Sequence, residues 1–546
     1  MQEDGKPLSG LMRDDFELLD EGKPREIAFF SAESAAAPAP AVTLPPNAYS
    51  NRMAATSGAR NATVILFDGL NTEIRDQAYA KNQVIEFLEQ IQPEDRVAIF
   101  VLGQELHVLH DFTSDSRSLL AALEQYKGRV STELRASQSV AERERQSRIV
   151  VDPTQPGFPG TPGVADSPGP AGGGGGGAAL LEQIFREFIA EANRRPSDFY
   201  TRQRGMWTAR ALFNIGHYLA AVPGRKNLIW VSSSLPFTVG LEQAFESGRM
   251  SREGFTFREE VEAAVRALNQ GNVAIYPVDA RGLAAPAAVD VQMHRFPVSG
   301  RGERMSSFSP APQNLHIMHA LSKKTGGKTF YGTNDIRTAV RTALEDAGAG
   351  YTLGFYPGDE PDGKFHRIRV RVKRKGADTR HREGYVALAD RPSGEQQRAE
   401  EIRYLLHGPV DATAIGLDVR KELTEPSPES RVKLTIRVGL GGITLDRQGD
   451  RWKGKLEVVV AQNNVEGKTL HVESQNVDLN LTESDYQKIA RSGGMLLWKT
   501  VTPEPEIAEF RVVVVDHPRT LMGSLRLPHT VTPREVGAAS KAIVSP

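Results

Sequence analysis

The feature that most constrains this chain is a series of short apolar runs separated by stretches of helical periodicity. VILF (Val64 to Phe67), VAIFVL (Val97 to Leu102), NLIWVS (Asn227 to Ser232), NVAIYPVD (Asn272 to Asp279) and KTFY (Lys328 to Tyr331) are too short for packed helices. Their mainly unbroken apolar character is that of strands buried on both faces. Between them, Ala78, Val84, Ile85, Leu88 and Ile91 fall near one helical face, and DSRSLLAALEQY follows with Asp115 as its N-cap. Residues 180–193, 205–221, 258–270, 314–325 and 335–347 also read as helices. LHVLHDF is joined to the preceding run by only Gly103-Gln104-Glu105, too short a link for a parallel crossover, so it is expected to run antiparallel at the sheet edge. Six strands, five of them parallel, predict an α/β fold over residues 61–350: a doubly wound, mostly parallel six-stranded sheet.

β-rich regions flank this core. Residues 1–31 carry Phe16, Leu18, Ile27 and Phe29 on arms around a Glu21-Gly22-Lys23-Pro24 turn. Asp4-Gly5 is also a hairpin signal, yet only three residues precede it, which implies the remnant of a truncated β-unit. Residues 32–60 are rich in Ala, Pro and Ser and read as a linker. In YTLGFYP and FHRIRVRVKRKG, within 351–390, Asp362-Gly363 predicts a hairpin packed beside the α/β domain, with Ile368, Val370 and Val372 inward. Residues 395–406 read as a helical linker, and 410–531 as a β-sandwich-like domain built on VKLTIRVGL, GKLEVVVAQ and EFRVVVVD. An insert at about 127–178, a loop at 283–312 and a tail at 532–546 show no core pattern. Within the insert, Gly172 to Gly177 lacks the Lys-Ser/Thr of a phosphate loop and reads as linker.

Composition then removes whole classes of function. The absence of cysteine excludes disulfides, thiolate metal sites and cysteine nucleophiles. Lys and Arg total 67 against 68 acids, a balance that argues against a nucleic-acid partner. No apolar run approaches the ~18 residues of a membrane span. The first residues lack a basic stretch leading into an apolar one, so no signal peptide is present in the given sequence. Ser232, Ser233 and Ser234 end a strand without a Gly-x-Ser-x-Gly frame or an identifiable His partner, and no catalytic dyad emerges.

Several blocks, in order, carry a family likeness: DGKPLSGLMRDDFELLDEGKPREIAFF, ILFDGLNT, DFTSD, PGRKNLIWVSSSLPF, NVAIYPVDARGL, TGGKTFYGTNDI and YTLGFYPGDEPDGKFHRIRVRVKRKG. Over residues 3–388 the chain resembles von Willebrand factor A (VWA) domains, and more closely a bacterial group of exported "VWFA-related" proteins. The resemblance implies non-enzymatic binding of a protein or cell-surface ligand at the carboxyl ends of the strands, outside the cytoplasm in the full-length form. It also implies a metal-ion-dependent adhesion site, whose all-oxygen shell suits Mg²⁺. Matched residue by residue, Asp68 takes the first acidic position and Thr72 the second hydroxyl position, while Leu70 stands where a coordinating Ser is expected. Ser232, Ser233 and Ser234 replace the later acidic loop, and Thr201 or Thr208 is the separate Thr. The site is thus degenerate, with Asp68 and Thr72 as the matched Mg²⁺ ligands and Asp68, Asn71, Thr72, Ser232 and Ser233 as its binding face. Asp279 would lie roughly 10 Å from Asp68, two sheet spacings away. Independently of any ligand, Asn71 and Thr72 are placed to N-cap a helix beginning near Glu73. The competing expectation is an assembly scaffold whose contacts are made by the C-terminal β-domain.

Overall fold

The computed structural model describes residues 8, 10–32, 44–52, 62–92, 95–136, 199–234, 258–281, 318–332, 335–357, 365–386, 394–423 and 431–529, apart from a few positions within these spans. Asp4-Gly5, Asp362-Gly363, Gly172 to Gly177, the helix expected at 180–193, the 283–312 loop and the 532–546 tail lie outside them.

The chain opens with β1 (Phe16–Asp20), β2 (Lys23–Arg25), β3 (Phe29–Ala32) and β4 (Ala48–Ser50). Glu21 and Gly22 both take positive φ, the backbone a two-residue hairpin between twisted strands requires. The α/β region follows as β5 (Ala62–Asp68), α1 (Ile74–Leu88), β6 (Arg96–Leu102), β7 (Leu106–Thr113), α2 (Ser116–Gln125), a helix α3 at 199–219, β8 (Lys226–Ser232), α4 (Arg258–Gln270), β9 (Val273–Asp279) and α5 (Ile336–Gly348). Its sheet runs β7-β6-β5-β8-β9, with β7 antiparallel and the other pairs parallel. Every residue of β5, β8 and β9 is buried. The sheet therefore has five strands where six were expected. KTFY adds one parallel bridge, Phe330 to Val278, held by Asp279 N–H to Phe330 O and Phe330 N–H to Pro277 O, both 2.9 Å. Gly327 lies so close to Ile275 that a Cβ there would come within 1.9 Å of its carbonyl oxygen, and beyond Phe330 the chain leaves the sheet through Gly332 at φ +60°.

After α5 come β10 (Tyr351–Gly354), β11 (Phe365–Val372), β12 (Gly384–Val386) and α6 (Glu395–His407). The hairpin expected between β10 and β11 does not form. β10 pairs with β3, and β11 lies between β1 and β12. Each finds its partner in the N-terminal segment, where Phe16, Leu18 and Phe30 complete the apolar face of Ile368, Val370 and Val372. The 32–60 linker likewise contains β4, which pairs with β13 (Leu417–Leu423). Asn51 secures that junction, its Nδ2 donating to Ala412 O at 2.7 Å and Ile415 O at 2.9 Å while its Oδ1 accepts from Leu417 N.

The remaining elements are β14 (Val432–Val438), β15 (Asp446–Gln448), β16 (Arg451–Asn463), β17 (Thr469–Thr482), α7 (Glu483–Arg491), β18 (Met495–Val501), β19 (Glu509–Asp516) and β20 (Leu521–Pro528). They form two antiparallel sheets, β18-β14-β13-β4 and β15-β16-β19-β20 with β17 beside β16. Alternate residues of the two sheets, among them Val419, Leu434, Ile436, Val458, Val460, Val512 and Val514, share one apolar cluster. The intervening Val459, Ala461, Val513 and Val515 belong to a different cluster, shared with α3, α4, α6 and the sheet face bearing Val64, Leu66 and Trp230. The strands in GKLEVVVAQ and EFRVVVVD thus bury both faces rather than alternating, which is why each contains an unbroken Val run. The 395–406 helix is likewise no linker, since Ile402, Tyr404, Leu405 and Leu406 are buried in that same core.

α3 lies at the centre of this arrangement. Residues 211–219 are buried around the whole helix, as expected of a helix enclosed by protein on every side. Gly216 allows α4 to approach, because a Cβ there would stand 2.6 Å from the Ala267 backbone. At the C-terminus of α3, Thr413 Oγ1 donates to Tyr218 O at 2.9 Å and accepts from Ala221 N at 3.0 Å. Arg511, fully buried on β19, donates to Val410 O at 2.7 Å and pairs with Asp411 at 3.4 Å. The β-region and the α/β region therefore share a core. Leu405→Ala should lower stability by about 2–5 kcal/mol, and calorimetry should show both regions melting in a single transition. Two separate transitions, only one of them shifted, would contradict the shared core.

Candidate functional site

Strand β5 ends at Asp68, which is 1% exposed. A carboxylate without water must find donors within the protein; here they come from two segments, and a third, α3, holds the donating Asn71 in place. Asn71, in the turn after β5, donates its backbone N–H to Oδ1 at 2.9 Å and its side-chain amide to Oδ1 at 3.0 Å and Oδ2 at 2.9 Å. From β8, Trp230 Nε1 and Ser232 Oγ each donate to Oδ2 at 3.0 Å. From α3, Thr208 Oγ1 accepts from Asn71 Nδ2 at 3.1 Å and passes its own hydrogen to Arg204 O at 2.8 Å. Arg204 Nη1 then donates to Asn71 Oδ1 at 2.8 Å, which fixes the amide with its NH₂ toward Asp68.

Burial pushes the Asp68 carboxyl above its ordinary range, and the hydrogen bonds from Asn71, Trp230 and Ser232 pull it partly back. A protonated Asp68 has an acceptor in reach, Ser232 Oγ, whose own hydrogen then goes to Ser234 O at 2.7 Å. Burial lowers Arg204 to about 10 against the pull of Asp68 and Glu133, so the guanidinium keeps its charge at neutral pH.

The surrounding turns are tied into the same unit. Thr72 Oγ1 accepts from Ser233 N at 3.1 Å, and Ser233 Oγ donates to Asn71 O at 3.3 Å, joining the ends of β5 and β8. Gln77, buried on α1, donates to Gly69 O, Thr72 O and Arg129 O at 3.1, 2.7 and 2.9 Å, and its Oε1 accepts from Arg129 N. Neither Asn71 nor Thr72 caps α1. Its N-cap is Glu73, with no side-chain hydrogen bond, because both expected caps are committed to the network. Asp115 does cap α2, accepting from Arg117 N at 3.2 Å.

These residues do not fit a divalent ion. A hard cation needs oxygen lone pairs aimed at one point, whereas those of Asp68 face N–H and O–H donors and the Thr72 hydroxyl accepts from Ser233. Leu70 is buried in the apolar core. Asp279 is held by Arg281, which donates to Oδ1 at 2.9 Å and Oδ2 at 2.6 Å. Among the described residues, no group of three or more His, Asp or Glu is arranged to hold a metal.

The structure thus brings Asp68, Asn71, Thr72, Ser232, Ser233 and Thr208 together. Thr201, half-exposed at the start of α3, lies outside the network. Sequence reasoning missed Arg204, Trp230 and Gln77. Arg204 falls one residue before the predicted start of the helix at 205, yet it stands one turn from Thr208, a spacing that would have placed it on the same face. The face of α1 also differs in part: Ala78 is exposed, while Gln77, Ala80 and Phe87 are buried with Val84 and Leu88.

No protein family and no curated protein matches the chain. Among solved structures, it is similar to an aerotolerance-related membrane protein from Bacteroides fragilis, at 11% identity over 52% of this chain and 98% of that one, with a TM-score of 0.25. It is also similar to the conserved hypothetical protein BatB from Bacteroides thetaiotaomicron, at 13% identity over 52% and 98%, TM-score 0.22. For the SpRpn10 VWA domain the values are 12% over 40% and 88%, TM-score 0.16. At these scores the likenesses carry no inference, and the fold rests on the strand order given above.

The network can be tested by stability measurements. Asp68→Ala strands four donor groups beside buried Arg204 and should cost on the order of 3–5 kcal/mol in urea denaturation. The pH dependence follows from the raised carboxyl. Folded Asp68 holds its proton more firmly than the unfolded chain does, so its contribution is full below the ordinary carboxylate range and is lost as pH rises through the raised value. Wild-type stability minus that of Asp68→Asn should therefore fall as pH rises from about 4. A difference that grows with pH would mean that charge attraction governs the site.

Proposed function

We propose that the α/β region is a VWA-like, non-enzymatic binding module in a protein that is exported in its full-length form. It presents the carboxyl end of its sheet to a protein or cell-surface partner and needs no divalent ion to do so. The observation that carries this reading is what surrounds the closed Asp68 network. Ile74, Val130 and Phe199 are 45%, 47% and 56% exposed, and they stand on three segments tied to it. Ile74 begins α1 directly after the network turn, Val130 follows the Arg129 backbone held by Gln77, and Phe199 begins the helix carrying Arg204 and Thr208. Exposed apolar groups mounted on a rigid, satisfied polar base suit a preorganised protein contact. In this reading Arg204 supplies, from inside the fold, the positive charge that an ion would otherwise bring to Asp68. No helix among the described residues is long and apolar enough to cross a membrane.

The assembly reading also has an observation in its favour. Trp498, 71% exposed, and Leu496 stand on the outer face of β18, an edge strand. A photo-crosslinking residue placed in the full chain at Val130, Phe199 or Trp498, in cells that produce the protein, separates the two. Crosslinks to the same partner from Val130 and Phe199, unchanged by EDTA, are expected. Crosslinks from Trp498 alone would favour assembly through the β-region, and loss of the strand-end crosslinks in EDTA would overturn the ion-free reading.

A further inference from the structure

The strand edges of the C-terminal β-region are not guarded alike. A free edge pairs with other chains unless it is short, covered, irregular or charged. β4 and β15 are three residues long. β20 is covered by the chain around Ile415, whose N–H reaches Met522 O at 3.2 Å, while Ser524 N reaches Ala412 O at 2.9 Å. β17 carries His471, Glu473 and Asp478 and shifts register near its start.

β18 has none of these features. Its seven residues pair with β14 in unbroken register and include neither proline nor glycine. Among the described residues, β14 is the one strand paired with it. Its single charged side chain, Lys499, lies on the inner face with Met495 and Val501 and is drawn back to Glu473 on β17 at 2.9 Å. On the outer face, Leu496 and Trp498 are 49% and 71% exposed. Their neighbours on β14 are Arg437 and Thr435, and Lys433 stands beside Thr500.

We propose that β18 pairs with β18 of a second copy of this chain, antiparallel about a two-fold axis at Trp498, so that two four-stranded sheets become one. The strand is complementary to itself in that register. Trp498 is its central residue, so all seven residues find a mate: Trp498 its own copy, Leu497 Lys499, Leu496 Thr500 and Met495 Val501. Each pair falls on one face of the sheet. The burial pattern also reads the same in both directions, so residues of like exposure meet. No two charges oppose each other within the strand pair. Arg437 and Lys433 of the second copy would stand three strand spacings apart, about 14 Å, beyond the ~8 Å screening length at physiological salt. Arg437 is in addition turned to Ser492 O, to which it donates at 3.0 Å. The axial Trp pair supplies a cross-strand aromatic contact. The contact rests on neither functional reading given above.

Purified full chain suffices for the test, so its failure leaves the strand-end reading as it stands. Sedimentation equilibrium should show a reversible monomer–dimer equilibrium. Trp498→Lys, which places like charges on the axis, should weaken it about tenfold or more and leave the thermal midpoint near the wild-type value. The chain has no cysteine, so single cysteines report the register. Facing Cα atoms of an antiparallel pair lie about 4.5–5.5 Å apart, within disulfide reach, whereas Leu496 and its copy would be about 14 Å apart. Under mild oxidation Trp498→Cys should therefore give a disulfide-linked dimer, and Leu496→Cys should not crosslink. A chain that stays monomeric at every concentration, a dimer undiminished in folded Trp498→Lys, or equal crosslinking of the two cysteines would each overturn the proposal. So would a photo-crosslink from Trp498 in cells to a different protein with none to a second copy.

Discussion

A carboxylate removed from water must be surrounded by donors, and the carboxyl end of this sheet is organised by that requirement. Asp68 draws in the turn after β5, the end of β8 and the first turns of α3, three segments far apart in sequence. Each contributes a group that only a particular side chain can supply: the indole N–H of Trp230, the two-sided amide of Asn71, the guanidinium of Arg204. Because Asn71 gives both amide hydrogens inward and takes Arg204 on its oxygen, it serves as the hinge of the cluster. An unfilled donor there would be costly, so the turns have little freedom to rearrange.

The same economy of buried surface explains why α3 and β19 look as they do. A helix buried all round and a strand apolar on both faces are alternatives to a surface amphipath, and each demands a neighbour on two sides. α3 has the α/β sheet on one side and β16 and β19 on the other. The region after residue 410 is consequently packed into the body of the protein. Its boundary in sequence is a turn secured by Thr413 and Arg511, not a flexible joint.

Much of this was legible from the residues, and the failures have physical causes. Unbroken runs such as VAIFVL announced the parallel strands, and the short Gly103-Gln104-Glu105 link announced the antiparallel edge. The alternation Ile368, Val370, Val372 gave the face of β11 correctly but not its partners, because pairing with β1 joins residues more than three hundred positions apart and leaves no local signal. Composition misled at 32–60, where Ala and Pro surround a three-residue strand too short to show a period. At the candidate site, Asp68, Thr72 and Ser233 were singled out by matching the family resemblance onto an acid and hydroxyls at strand ends. Arg204 was not, since a lone basic residue near a helix start reads as solvated unless its three-dimensional neighbours are known.

The pairing pattern has a consequence for how the chain is made. β1 and β3 wait for β11 and β10, and β4 waits for β13, so the two sets of partners interleave along the sequence instead of nesting. A chain emerging from its amino end completes β5 to β9 while β1, β3 and β4 still await partners from later in the chain. Those strands are short, three to five residues each, and β2, which carries a proline, already covers one edge of β1. Short strands interrupted by proline are poor templates for foreign strands. They can remain open during synthesis without capturing a neighbouring molecule.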